Sequence, residues 1–172
     1  MTSSSSMPGL PSTLRIAEAD LSSPKDQAAV LVLIDEYARD PFGGGESLGA
    51  DVRNRLISGL QRHPTTLILI GWCETRPVAI AVCFGGFSTF AARPLLNIHD
   101  FMVVKEYRGL GVGRQMLQAV EAKARELGCC KLTLEVLDRN DRAMRTYRAA
   151  GFGRYVLQDD AGAALFLVKP LE

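Results

Sequence analysis

The sequence predicts an α/β fold, a mixed sheet of about six or seven strands flanked by about four helices. Three observations lead there. Short stretches that alternate polar and apolar residues are interleaved with longer stretches of helical period. Glycine and proline clusters separate them. The 172 residues suffice for one domain with a real core, and no internal repeat divides them. One domain is expected over residues 13–172, behind a Ser-rich lead-in at 1–12 that is expected to be disordered.

Thr13 to Ala19 alternates and predicts a first strand. Pro24 opens a helix whose apolar positions Ala28, Leu31, Ile34 and Ala38 keep a helical period. Asp40 to Glu46 breaks it, because a proline and three glycines cannot continue a stable helix. A second helix is expected over Ala50 to Gln61. Thr65 to Cys73 and Pro77 to Phe87 predict two strands joined tightly around Glu74 to Arg76. Leu95 to Val104 follows as a strand, and Gly111 to Leu127 as the longest helix, stopped by Gly128. Lys131 to Val136 is the next strand, with Leu132, Leu134 and Val136 on one face. Asn140 caps a last helix that Gly151 ends. Phe152 to Leu157 and Ala163 to Val168 are expected to close as a hairpin.

A net charge of +1 gives no general attraction to nucleic acid or to a membrane surface, so neither is expected as a partner. The charge is uneven, however. Residues 1–104 hold 8 Lys and Arg against 10 Asp and Glu, whereas residues 105–172 hold 12 against 9, which favours the C-terminal part for a phosphorylated ligand. The apolar run from Ala28 to Ile34 falls far short of the roughly 20 residues needed to span a bilayer. Cys73, Cys83, Cys129 and Cys130 form no C-x-x-C pair, and only His63 and His99 could join them around a metal. No metal site is expected, and reduced thiols in a cytoplasmic protein are the simplest expectation.

The most informative segment runs from Val103 to Arg114, where a strand passes through a glycine-rich turn straight into a long helix. Amides at a helix start carry partial positive charge and favour an anion, and glycines let a ligand approach the backbone. Arg108 and Arg114 flank the turn and can add charge. The dinucleotide fingerprint G-x-G-x-x-G fails where Arg114 stands, and no Walker sequence is present. On residues alone, the turn binds phosphate by another pattern or is plain chain punctuation.

Arg108-Gly-Leu-Gly-Val-Gly113 resembles the R/Q-x-x-G-x-G/A signature of the GNAT superfamily of N-acetyltransferases. Asn140, Ala143, Tyr147 and the Gly151-Phe152 pair resemble that superfamily's N-x-x-A-x-x-x-Y-x-x-x-G-F ending. The resemblance is strong over residues 95–157 and elsewhere rests on element order. It implies a GNAT-like sheet whose central parallel strands splay, with acetyl-CoA as co-substrate in the gap. It further implies acetyl transfer to an amine of a small molecule or protein, and a homodimer as relatives often form. A non-catalytic acyl-CoA-binding module on the same fold is the alternative, because fold alone does not fix function.

Carried onto this chain, the resemblance gives the backbone of Met102, Val103 and Val104 to the pantetheine arm, with the Val103 amide polarising the thioester carbonyl. The segment Arg108, Gly109, Leu110, Gly111, Val112, Gly113 and Arg114 takes the diphosphate. Asn140 and Ala143 lie on the cofactor side, and Arg142 is assigned the 3′-phosphate, although Arg139, Arg145 and Arg148 share its solvated spacing. Tyr147 is the general acid that returns a proton to the CoA thiolate, against a plain packing role. For the general base the candidates are Asp100, then Glu135 on the neighbouring strand. Glu46 suits holding a cationic acceptor better, together with Asp40. Alternation sends His99 to the face opposite Asp100.

Overall fold

The computed structural model describes residues 14–156, 162 and 164–171. The lead-in and most of the expected hairpin turn at residues 159–162 lie outside them. Contacts divide the chain into two compact units, Met1–Leu134 and Glu135–Glu172.

The first unit runs β1 (Leu14–Glu18), α1 (Pro24–Arg39), α2 (Ala50–Arg62), β2 (Thr66–Cys73), β3 (Arg76–Ser88), β4 (Arg93–Val103), a 3-10 turn (Lys105–Tyr107), α3 (Val112–Glu126) and β5 (Leu132–Leu134). One five-stranded sheet takes the order β1-β2-β3-β4-β5. The first four strands pair antiparallel and β4 pairs β5 in parallel. Pro24 starts α1, where its fixed φ suits the first turn and its missing N–H leaves nothing unsatisfied. The β2–β3 turn holds only Glu74 and Thr75, with Glu74 in the left-handed region at φ 55°.

Two apolar layers sandwich the sheet. On one face Ala29, Val30 and Leu33 of α1 and Leu60 of α2 meet Ile68, Ile70, Ile80, Val82 and Met102. On the other, α3 packs on β2, β3 and β4 and buries Met116, Leu117 and Val120. Gly71 permits the close approach there, since a Cβ would sit 3.2 Å from the Met116 sulfur.

A β-bulge interrupts β4. Val82 lies opposite Asp100 and Cys83 opposite Ile98, so His99 has no partner of its own. Ile98 thus faces α3 with Cys83, while Asp100 faces α1 and α2 with Val82. The His99 ring packs against Phe84 at 5.3 Å, on that same α1 and α2 side. The expectation that His99 lies opposite Asp100 is therefore corrected. Simple alternation does not survive an extra residue.

The second unit holds α4 (Asp141–Ala149). Asn140 caps it by accepting from the Ala143 N–H at 3.1 Å. Gly151 ends it at φ 89°, with Phe152 N–H bonded to Tyr147 C=O and Gly151 N–H to Arg148 C=O, a Schellman motif. Within the two arms expected beyond it, Ala164 N–H bonds to Tyr155 C=O at 3.1 Å. No strand ladder forms there among the described residues, so the sheet has five strands rather than six or seven. Alternation predicts which side chains share a face, not whether an edge takes the backbone.

Candidate active site

β4 and β5 stay together for only three residue pairs, Leu96 with Leu132, Asn97 with Thr133, and Ile98 with Leu134. β4 then continues along β3 to Val103, while β5 ends at Leu134. The expected strand to Val136 is thus shorter, and Glu135 lies just past it, exposed, rather than on a strand. Among the described residues no strand pairs with β4 beyond Ile98 on that side. The Val104 N–H bonds to Val78 C=O at 2.9 Å, so antiparallel alternation turns the backbone groups of Phe101 and Val103 to the open side. Met102 instead directs its backbone to β3, Val104 sends its N–H there and accepts from Tyr107 N–H on its carbonyl at 2.9 Å, and both side chains are buried core. Of the three residues expected to present backbone, only Val103 does so.

β4 leads into the glycine turn. Gly109 and Gly111 take φ values of 77° and 79°, which side-chain-bearing residues rarely adopt. Gly111 is the N-cap of α3, and no side chain caps that end. The amides of Val112, Gly113 and Arg114 are therefore helix-start donors without helical acceptors. A Cβ at Gly109 would meet nothing within 4 Å, so the cradle is open there. Arg114 is exposed and Leu110 half-buried. These groups fit a diphosphate of CoA.

Arg108 is differently employed. Its Nε donates to Val103 C=O at 2.7 Å and its Nη2 to Asp40 Oδ2 at 2.8 Å. Asp40, expected to hold a cationic acceptor, thus has its carboxylate on Arg108, while its Oδ1 accepts from Phe42 N–H at 3.0 Å. Glu46 is exposed in the same loop.

Asp100 lies on the α1 and α2 face, where burial raises its carboxyl above the ordinary range and the neighbouring His99 works the other way. Its charge is felt by Tyr37, whose phenol is pushed up by burial and then by Asp100 and Asp40. Burial, with Asp100 second, pushes the Cys83 thiol up to about 12, which makes it inert as a nucleophile.

Sequence reasoning missed Asp35. It is buried in α1, bonded by Arg39 at 2.6 Å, Arg53 at 2.7 Å and the Leu48 N–H at 3.0 Å. Burial works to raise its carboxyl, yet the Leu48 amide, Arg53 and Arg39 outweigh it and hold the group below its ordinary value. Only the i, i+4 spacing to Arg39 was visible beforehand.

In the second unit Tyr147 is buried, with its ring edge-on to Phe152 at 5.9 Å. Arg139, Arg142, Arg145 and Arg148 are exposed, and Arg142 also accepts the Thr146 hydroxyl on its carbonyl. Among the described residues no cluster of three His, Cys, Asp or Glu could hold a metal ion, and no helix is long and apolar enough to cross a membrane.

The profile of the Acetyltransferase (GNAT) family matches residues 31–152. The chain belongs to that family. Among curated relatives, thialysine N-epsilon-acetyltransferase of Bos taurus is 38% identical over 74 residues, 43% of this chain and 43% of the relative. Streptothricin acetyltransferase of Streptomyces lavendulae is 31% identical over 129 residues, 75% of this chain and 59% of the relative. The chain spans less than two thirds of the length of either. Similar solved structures include a ribosomal-protein-alanine N-acetyltransferase from Brucella melitensis biovar Abortus 2308, at 16% identity and TM-score 0.64, covering 85% of this chain and 99% of that one. An aminoglycoside acetyltransferase from an uncultured soil metagenomic sample aligns with TM-score 0.69 at 16% identity, covering 91% and 97%. At such identities these two establish the GNAT fold alone.

Proposed function

We propose that this GNAT chain is an N-acetyltransferase that moves an acetyl group from acetyl-CoA to a primary amine of a small molecule or protein, by direct attack in a ternary complex. The observation that carries the reading is the continuity of the open β4 edge with an uncapped, glycine-lined helix start. One stretch of chain thereby offers donors for an extended arm and for a diphosphate.

Acetyl-CoA supplies the activated thioester. Amides from Gly109 to Arg114 bind the diphosphate, and the Val103 N–H orients the thioester carbonyl and stabilises charge on its oxygen. Asp100 Oδ accepts the proton of the incoming ammonium, directly or through water; burial raises its affinity for a proton above that of an ordinary carboxylate, which suits a base. Glu135 stands second for this role. Tyr147 Oη returns a proton at the leaving sulfur. Asn140 and Ala143 start the helix that carries Tyr147, and Arg142 supplies positive charge for the 3′-phosphate. Glu46 offers a carboxylate to a cationic acceptor.

The test is thiol release from acetyl-CoA with a panel of amines, headed by thialysine and streptothricin, the compounds in the names of the two curated relatives. Release with at least one amine is expected. Tight acetyl-CoA binding without release on any amine favours the non-catalytic module, and no acetyl-CoA binding sinks both. Tyr147→Phe keeps the ring against Phe152 and removes one hydroxyl. Turnover should fall by about 10²–10⁴-fold with acetyl-CoA affinity kept. Wild-type turnover in that variant would leave the ring a packing group.

A further inference from the structure

The loop between α1 and α2 is fastened at both ends, by Asp35 within α1 and by Asp40, the residue that caps the end of α1. At its far end the Leu48 N–H is held by buried Asp35. At its near end Asp40 accepts from Gly43 and Gly45 N–H groups on its carbonyl, at 2.7 and 3.2 Å. Its carboxylate meanwhile binds Arg108, sixty-eight residues along the chain. The two side chains are only 20% and 12% exposed, so solvent screens this pair less than an ordinary surface ion pair. Arg108 uses its other arm on the Val103 carbonyl, at the end of the open β4 edge. A guanidinium has fixed fork geometry, and here its Nε and Nη2 are engaged by the protein.

We infer that Arg108 and Asp40 form a positioning pair that sets the Asp40–Leu48 loop against the end of β4, rather than ligands of diphosphate and acceptor respectively. The inference rests on the acetyltransferase reading for its functional consequence, since the loop starts three residues beyond Tyr37, which feels the charge of Asp100. The pair then tunes how the acceptor side is presented, while the diphosphate is left to the backbone amides of the turn.

Arg108→Lys and Asp40→Asn separate the roles. Lysine keeps the positive charge that a diphosphate needs and loses the two-pronged geometry. Acetyl-CoA affinity, measured by calorimetry, should stay within about threefold of wild type in both variants. Chymotrypsin cleavage after Phe42, followed by mass spectrometry, should accelerate by about tenfold in both. With the fastest amine of the panel, KM for the amine should rise by about tenfold while kcat is largely kept. The double variant should be no worse than Arg108→Lys alone, because the contact that Asp40→Asn removes is already lost there. A tenfold or greater loss of acetyl-CoA affinity in Arg108→Lys with unchanged cleavage after Phe42 would return Arg108 to the phosphate site. Unchanged cleavage and unchanged amine KM in both variants would also overturn the pair. If no amine reacts with the wild type, the acetyltransferase reading fails, and the cleavage rates still decide whether the pair fastens the loop.

Discussion

The chain has two glycine-rich loops that look alike in sequence and differ in construction. After α1, Gly43 and Gly45 turn their amides inward onto the Asp40 carbonyl, and a Cβ on Gly43 would lie 1.9 Å from the Tyr37 carbonyl oxygen. Before α3, Gly109 and Gly111 hold left-handed backbone while a Cβ at Gly109 meets only open space. At Gly43 the first loop uses glycine to let the chain press on itself, whereas Gly44 and Gly45 beside it serve the turn through positive φ, at 127° and 83°. The second uses it to hold a shape that leaves donors and room for something else. Composition cannot separate these cases; the destination of each amide does.

The sharpest way to break the comparison is an alanine in each loop. Gly43→Ala should destabilise the fold by about 3 kcal/mol, because the obstructing atom is backbone. Gly109→Ala should lose only about 1–2 kcal/mol from its left-handed backbone and should weaken acetyl-CoA binding as well. Denaturant melts and calorimetry read both. Equal losses of stability with no change in affinity would erase the distinction between the loops.

The far fastening of the first loop gives the next effect. Asp35→Asn removes the charge that Arg39 and Arg53 meet and should lower stability by about 2 kcal/mol at neutral pH. The folded carboxyl is held below its ordinary value, so its contribution is present above the unfolded value and fades as pH falls through the folded one. The gap between wild type and variant should narrow progressively in acid melts as pH falls below about 4. A gap that does not narrow as pH falls would mean Asp35 acts through shape rather than charge.

Asp100 should behave in the opposite sense, and by less. Its folded carboxyl is raised by burial, so its stabilising contribution holds at low pH and is lost as pH rises through the raised value. Asp100→Asn does not titrate and should gain on the order of 1 kcal/mol at neutral pH. The same variant should lose kcat/KM, with the loss shrinking as pH rises because more amine arrives already deprotonated. Higher stability with lower activity marks a group kept for chemistry. A flat activity ratio across about three pH units shifts the base role to Glu135.

Local signals made most of this legible in advance. The nine elements from β1 to α4 follow the predicted order because each has its own periodicity and its own stop, such as Gly128 or Gly151. The Asn140 and Gly151-Phe152 positions are readable for the same reason: a cap and a Schellman motif are written within a few residues. What stayed hidden is long-range. Nothing near Arg108 announces Asp40, and nothing near Asp35 announces Arg53. The end of β5 at Leu134 was equally hidden, since Val136 continues the apolar alternation after β4 and β5 have stopped pairing.

At most positions of a paired strand, deleting one residue shifts the register and reverses every face beyond it. The bulge at His99 inverts that rule. Without His99, Ile98 would still stand opposite Cys83 and Asp100 opposite Val82, the pairings already made. β4 therefore carries one residue more than its ladder uses, and a single-codon deletion there would heal the strand instead of scrambling it. The length of this strand, as distinct from its composition, is a character that the pairing of the sheet does not need.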